Sequence, residues 1–416
     1  MADAANRPLT RASVLEAHER IKPYIHLTPV VTSQTLSDLA STLHPATATV
    51  PHPSSPRITL FFKCENYQKI GAFKARGAFH ALSRLTAGEL EAGVITHSSG
   101  NHAQALALAA RTRGVPAHIV MPRISTPSKI AATRGYGAHV HFSGSTAPER
   151  EACVARVRAE EGGPVLVPPY DHPDVLLGQG TMAIEFEQQV KEMLAAERES
   201  SIDGFGWRSR QAQRAQRAQR AGGSERGAGS EGLDAVVAPC GGGGMLSGIA
   251  TALAGTGIAV FGAEPQFEGA DDLCRGLKEG KRVESVKTLT IADGLRTPVG
   301  KIPWSIISDK SKVRGAYSVT EEEIKAAMRL VFERMKVVVE PSGAVALAVV
   351  LFNEDFRQLV EREAGDDGWN IGVIFSGGNT TMEAIAKLYE PSENIGERAE
   401  GKVGIDGEKV AENVAG

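Results

Sequence analysis

The feature that most constrains this chain is a rhythm. Short apolar runs of strand length alternate with longer stretches of helical period. GVITHSS (93–99) leads into a helical stretch at 101–113, and PAHIVMP (116–122) into one near 127–134. GAHVHFS (137–143) precedes another near 147–160, and PVLVPP (164–169) one near 178–197. ITLFFKCE (58–65), DAVVAPC (234–240), AVFGAEP (259–265) and IGVIFSGG (371–378) are further strand-like runs. They are apolar throughout rather than at alternate positions, as strands covered on both faces are. Repeated strand–helix units of this kind predict an α/β chain whose parallel sheets are flanked by helices. Ser13-Val14-Leu15-Glu16 has the spacing of a capping box and predicts the start of the first helix.

Two segments break the rhythm. Residues 43–57 are rich in Pro, Ser and Thr and read as a surface loop. Residues 199–232 hold three Ala-Gln-Arg triplets followed by a Gly/Ser-rich run, and read as a flexible insertion between a helix and a strand. Its arginines are the one local cluster that could contact RNA or a membrane. The polar tail after about 392 reads as loose. The chain as a whole has a net charge of −3, so no global basic field argues for nucleic acid or an anionic membrane. No 18-residue apolar run and no apolar leader are present, which predicts a soluble, cytoplasmic protein. Cys64, Cys153, Cys240 and Cys274 are scattered without a CxxC pair, which excludes a disulfide scaffold and a structural zinc site of ordinary spacing.

Three turns each follow an apolar strand, where open α/β sheets bind their ligands. Ser98-Ser99-Gly100-Asn101-His102 runs straight into a helix, so its free backbone N–H groups suit a carboxylate or a phosphate. An ordinary N-cap is the plainer reading of that turn. Gly241-Gly242-Gly243-Gly244, followed by Met245, also precedes a helix. Ordering four consecutive glycines costs much backbone entropy, which a phosphate-binding nest justifies better than a simple turn does. Neither GxGxxG nor GxxxxGK[ST] is present there, so neither NAD nor a P-loop nucleotide is favoured. Ser376-Gly377-Gly378-Asn379 is the third turn, equally readable as plain backbone reversal. Lys74 stands beside Phe73 and just ahead of an apolar helix. Desolvation there would lower its pKa and make it a nucleophilic amine.

Together these residues resemble a family. Gly71-Ala72-Phe73-Lys74-Ala75-Arg76-Gly77-Ala78, Ser98–His102, the four glycines and Ser376–Asn379 are similar, in that order, to the pyridoxal-phosphate enzymes of the tryptophan-synthase-β type (fold type II). Within them the chain most resembles the serine racemases and the serine/threonine and hydroxyaspartate dehydratases. The similarity runs from about residue 10 to about 390.

The resemblance implies two domains, each with a mostly parallel sheet flanked by helices. A large domain would comprise 1–93 and 171–416, and a small mobile domain 94–170. Pyridoxal 5'-phosphate would be carried by Lys74, which would also act as the base at Cα on one face. Phe73 would flank the ring and Asn101 would bond its phenolic oxygen. Gly241, Gly242, Gly243, Gly244 and Met245 would cradle the phosphate. Ser376 would meet the ring nitrogen, and a neutral hydroxyl there would leave that nitrogen largely unprotonated, favouring proton transfer and β-elimination over transamination. Glu340 falls near the cofactor in the family pattern; a buried structural acid is the other reading.

An amino-acid substrate would rest its carboxylate on Ser98, Ser99, Asn101 and His102, with Arg150 and Thr297 at further contact positions. Ser99 matches the acid that racemases place on the opposite face, whereas many bacterial threonine dehydratases have alanine there. The implied activity is interconversion of L- and D-serine with dehydration of serine or threonine to keto acid and ammonia. A 3-hydroxyaspartate dehydratase or a threonine dehydratase without racemisation is the alternative. Glu264, the Ala270 carbonyl and Asp272 resemble a Mg²⁺ (or Ca²⁺/Mn²⁺) site, in a loop two residues longer than the racemase pattern, so that Glu268 would compete as a ligand. Gln104 and Lys336 match positions that contact an ATP effector at a dimer interface. Tyr170 replaces the third such residue, an asparagine in the mammalian racemases. The resemblance also implies a homodimer, and no regulatory domain of the kind found in isoleucine-inhibited deaminases follows residue 390.

Overall fold

The computed structural model describes residues 7–47, 50–98, 100–202 and 231–390. Ser99, residues 203–230 of the insertion and the tail after 390 lie outside the described residues. Ten strands are described: β1 (Val30–Thr32), β2 (Ile58–Cys64), β3 (Val94–His97), β4 (Ala117–Pro122), β5 (His139–Ser143), β6 (Val165–Leu166), β7 (Ala235–Pro239), β8 (Ala259–Pro265), β9 (Gly315–Val319) and β10 (Trp369–Phe375). They form a six-stranded sheet in the order β1-β2-β10-β7-β8-β9 and a four-stranded sheet in the order β5-β4-β3-β6. All neighbours run parallel except β1, an antiparallel edge on β2. The expected class, α/β with mostly parallel sheets flanked by helices, is the observed one.

The topology positions the turns. β10, late in the chain, inserts between β2 and β7: Phe375 pairs with Cys64, and Val373 with Val237. Parallel pairing then puts the segments leaving β2, β10 and β7 at one edge of the sheet. Those segments carry Lys74, Ser376 and the four glycines. The strands of the smaller sheet lie between residues 94 and 166, and β3 ends at the Ser98–His102 turn.

Several elements differ from expectation. The first helix spans Arg11–Ile21 and starts a turn early: Thr10, not Ser13, is the cap, and its hydroxyl accepts from the Ser13 backbone N–H. The helix expected near 178–197 runs Pro173–Ile202. The strand expected at 164–169 shrinks to Val165–Leu166, because Pro168 and Pro169 cannot donate to a ladder. The 43–57 loop is mostly exposed, but buried Arg357 pins it by donating to the carbonyls of Ala40, Thr42 and Ser54 at 2.6, 2.6 and 3.0 Å. Residues 381–390 belong to a separate unit whose helix, Met382–Tyr389, is capped by Thr381.

The helix Pro173–Ile202 packs against the helices Lys74–Ser83 and Gly244–Leu253 at small residues. A Cβ on Gly178 would lie 2.6 Å from the Arg76 carbonyl, and one on Gly248 2.4 Å from the Leu176 carbonyl. Side chains of any size would force these helices apart.

That contact encloses a buried ionic cluster. Arg76 donates to both oxygens of Glu65 at 2.7 and 2.8 Å and to both oxygens of Glu185 at 2.8 and 2.7 Å. Lys63 donates to Glu185 at 2.7 Å, and to Gln189 and the Thr28 carbonyl at 2.8 Å each. Two cations thus face two carboxylates. Burial alone would push Glu185 up, but the charges of Arg76 and Lys63 outweigh it and hold the carboxyl below its usual range. Removing one partner from such a cluster strands a buried charge, which typically costs about 3–5 kcal/mol. Arg76→Met is therefore expected to lower unfolding stability by about that amount. Urea denaturation of the variant beside wild type measures it, and an effect close to zero would mean that the cluster is structurally idle.

Candidate active site

The segment from Ile70 to Lys74 is stitched to the end of β10. Phe73 N–H donates to the Ser376 carbonyl at 3.0 Å, Gly378 N–H donates to the Gly71 carbonyl at 2.9 Å, and Ala72 bridges Gly377. Ile70 is held at φ 62°, a left-handed conformation that a β-branched residue rarely adopts. Asn379 secures it by donating to the Ile70 carbonyl at 2.7 Å. The same amide donates to the Asn101 side-chain oxygen at 2.8 Å, and Asn101 donates to Glu340 at 2.9 Å. A chain of amides therefore links the Lys74 turn, the Ser98–His102 turn and Glu340.

Lys74 begins its helix at the head of the cleft. Its ammonium donates to the Pro169 carbonyl at 2.9 Å and lies 4.9 Å from the centre of the Phe73 ring. Desolvation brings its pKa down to about 8, against the opposing pull of Glu340. Burial raises Glu340 to about 7, helped by the charge of Asp293, while the Asn101 hydrogen bond works the other way. Glu340 is thus a buried acid that accepts from Asn101. His102 is buried and shares Nε2 with the Val167 carbonyl at 3.1 Å, leaving Nδ1 without a partner. Burial, with Lys74 nearby, pushes it down to about 3, so it is a neutral imidazole. Its ring therefore carries no charge; Ser98 N–H donates to the Val120 carbonyl at 3.1 Å and Gly100 N–H to Ser98 Oγ at 3.3 Å, which leaves the first-turn N–H groups at Asn101 and His102 to meet an anion.

The four glycines are buried and closely covered. A Cβ on Gly242 would fall 2.4 Å from the Tyr170 ring, and one on Gly241 2.8 Å from the Leu295 Cα. Gly243 has φ +80° and caps the helix that Gly244 and Met245 begin. First-turn N–H groups of a helix lack internal partners, so this buried turn can hold an anion. Ser376 is buried at the end of β10. Arg150 and Thr297 are half-buried, and the Arg150 guanidinium donates to the Ser145 carbonyl at 2.8 Å. Its charge bears on His97, at the end of β3, and on Tyr170, so it lies near both.

Glu264 and Asp272 come together at the end of β8. Glu264 accepts from Leu273 N–H at 3.0 Å and Cys274 N–H at 2.9 Å, and Asp272 accepts from Val299 N–H at 3.1 Å. Burial and the neighbouring Asp272 push Glu264 well up, and burial brings Asp272 to about 6. Asp272 Oδ1 is buried without a partner, and Ala270 is buried beside it in sequence. An orphaned oxygen and two desolvated carboxyls are a donor set that suits a hard cation. Glu268 is turned away, its carboxylate accepting from Leu289 N–H at 2.9 Å. Gln104 is buried in the helix Asn101–Arg113, whereas Lys336 is exposed and donates to the Glu333 carbonyl.

Sequence reasoning did not single out Asn379 as the hub of the amide chain, nor Tyr170 as the cover of the glycine turn. Asn379 lies inside a quoted motif, so its signal was present, but its two partners are remote in sequence. Nothing local marks Tyr170.

Comparisons with known proteins show the family to which the chain belongs. The family model "Pyridoxal-phosphate dependent enzyme" matches residues 22–196 and 223–377, and the chain belongs to that family. It is 37% identical over 393 residues to serine racemase of Arabidopsis thaliana, covering 93% of this chain and 99% of that one. It is 36% identical to L-threo-3-hydroxyaspartate ammonia-lyase of Saccharomyces cerevisiae, over 92% and 98% of the two chains. The solved structure of maize serine racemase superposes with a TM-score of 0.73 at 35% identity, covering 91% of this chain and 96% of that one. The site residues fit the cofactor that the family name carries: a desolvated lysine, a buried glycine turn that no Cβ could enter, and amides aimed across the cleft.

Glu340 supplies a stability test. Its folded pKa of about 7 lies above the 4.5 of the unfolded chain. The stability this shift contributes is full below pH 4.5 and is lost as pH rises through 7. The loss amounts to about 3 kcal/mol at most. Thermal unfolding of the cofactor-free protein between pH 5 and 8 should show that decline, and Glu340→Gln should flatten it. Parallel pH profiles of variant and wild type would mean that Glu340 is ionised in the fold.

Proposed function

We propose that this chain is a serine racemase that interconverts L- and D-serine and also dehydrates serine or threonine to keto acid and ammonia. The observation that carries this reading is the desolvated Lys74 ammonium beside the hydrogen-bonded chain of Asn379, Asn101 and Glu340 and a buried glycine turn. Serine racemases recur among its relatives, which supports the choice of substrate and reaction.

The residues that would hold the cofactor are Lys74, Phe73, Asn101, the Gly241–Gly244 turn with Met245, Glu340 and Ser376. Pyridoxal phosphate, when bound, supplies an electron sink for the charge left when the α-hydrogen departs as a proton. Lys74, with a pKa near working pH, takes that proton on one face. The backbone N–H groups of the Ser98–His102 turn receive the substrate carboxylate, with Arg150 and Thr297 bordering the entrance. Racemisation needs an acid on the opposite face. Ser99 is the residue we assign to it, on its type and sequence position alone. Elimination needs the β-hydroxyl to leave with a proton. Both outcomes share the first proton transfer, so one site supports both.

We assign Glu264, the Ala270 carbonyl and Asp272 to a Mg²⁺, Ca²⁺ or Mn²⁺ ion, supported by the orphaned Asp272 oxygen. We assign residues 94–170 to a lobe that closes over substrate, and the 2.5 Å ion pair of Lys129 with Asp293 spans its boundary. A cytoplasmic homodimer, with Gln104 and Lys336 contacting an ATP-type effector, completes the proposal. Among the described residues no helix is long and apolar enough to cross a membrane.

Incubation of the pyridoxal-phosphate-loaded protein with L-serine and Mg²⁺ should yield D-serine and pyruvate, read by chiral chromatography and a keto-acid assay of one sample. Pyruvate without D-serine would make the chain a dehydratase, with 3-hydroxyaspartate and threonine the next substrates to try. Lys74→Ala should be colourless and inactive. Ser99→Ala should lose racemisation and keep much of the elimination from L-serine; equal loss of both would remove Ser99 as a face-specific acid. A chelator should lower activity and Mg²⁺ restore it, and indifference to chelator would remove the Glu264/Asp272 ion from the account.

A further inference from the structure

Outside the cleft, three imidazoles crowd the β5 edge of the smaller sheet. His118 is the second residue of β4, and His139 and His141 are the first and third of β5. The parallel register pairs His118 with His139 and Val120 with His141. Paired residues share a face, and so do residues two apart on one strand, so all three rings project to the same side. The His118 ring stacks at 5.3 Å on each of the other two. Glu161, at the C-cap of the helix Ala147–Glu160, closes the group. One ring nitrogen each from His118 and His141 and one Glu161 oxygen lie within 4.8 Å of one another, the only such group among the described residues.

β4 is otherwise apolar, and His118 is buried on it. A histidine there gives up a good Val or Ile position. Its Nδ1 lies 3.1 Å from His141 Nε2. Two imidazole nitrogens on one tetrahedral ion, each bound at about 2.0–2.1 Å, would be about 3.4 Å apart. The pair is thus within a few tenths of an ångström of ligand spacing. Glu161 is exposed and free to swing the remaining distance.

We propose that His118, His141 and Glu161 form a binding site for a borderline divalent transition metal, Zn²⁺ above all, with water completing the coordination. Two imidazoles and one carboxylate suit Zn²⁺, Ni²⁺ or Cu²⁺ and disfavour Mg²⁺ and Ca²⁺. The site is therefore chemically distinct from the all-oxygen Glu264/Asp272 pair. It lies at the β5 edge of the smaller sheet, where the register sets His118 level with Ile95 and His141 level with His97, with β5 two strands away from β3. A metal here joins β4, β5 and the helix Ala147–Glu160 and stiffens the sheet that carries the Ser98–His102 turn. This inference does not depend on the racemase reading.

The test uses the full-length, pyridoxal-phosphate-loaded protein, freed of trace metal and held in saturating Mg²⁺. Co²⁺ is titrated as a coloured probe and Zn²⁺ as its competitor. Wild type is expected to develop visible Co²⁺ bands that Zn²⁺ abolishes, and to melt at higher temperature with Zn²⁺. His141→Gln, at a half-buried position, should weaken binding at least about tenfold, since the loss of even an outer-sphere partner costs about 10–100-fold. Glu161→Gln should also weaken it. Both variants should melt like wild type without metal and gain less from Zn²⁺. Absent Co²⁺ bands in wild type, or Co²⁺ and Zn²⁺ affinities in His141→Gln equal to those of wild type, would overturn the proposal.

Discussion

The buried contact of Arg76 with Glu65 and Glu185 is the constraint on which the rest of this structure depends. Arg76 follows Lys74 by two residues on the same helix, Glu65 follows β2, and Glu185 lies in the helix Pro173–Ile202. One guanidinium therefore fixes three elements at once through four hydrogen bonds. Arginine suits this role because its planar fork meets two carboxylates in two directions, which an ammonium cannot do. The cluster is net neutral, so the interior carries no uncompensated charge. An apolar cluster of equal volume could match its stability. What the ion cluster adds is direction: it sets the rotation of the helix and with it the side from which Lys74 enters the cleft.

The cleft follows a different rule. Burial moves Lys74 and His102 down and Glu340 up, and each shift favours the uncharged form. The amide chain from Asn379 through Asn101 to Glu340 supplies directed hydrogen bonds without net charge. A site with so little fixed charge leaves its field to whatever ionic group enters, and a lysine poised near pH 8 can exchange a proton there at small cost.

Much of this was legible in the sequence. Both kinds of sheet strand, most helices and all three glycine-rich turns follow from local period and turn chemistry. So does Lys74, beside Phe73 and ahead of an apolar helix. The errors are instructive. Ser13 and Thr10 are both competent caps, and the structure takes Thr10, a choice that burial of Val14 and Ala17 against the core settles. β1 has three residues, too few for any periodic signal, and β6 keeps only two of the six expected because Pro168 and Pro169 cannot join a ladder. Glu268 carries the right chemistry for a metal, but a loop that turns at φ 47° sends it to Leu289 instead.

The sequence by itself determined the elements and the chemical kinds at their ends, because hydrophobic period, glycine and proline act over a few residues. Only the tertiary structure decided which of those ends meet. β10 enters the sheet between β2 and β7, across separations of about 300 and 130 residues, and register over such distances is chosen by packing of the whole core. The same packing set how dry each group became, and hence how far the pKa values of Lys74, Glu340 and His102 moved toward the uncharged forms. Desolvation belongs to the assembled surroundings of a group, and no run of residues encodes it alone.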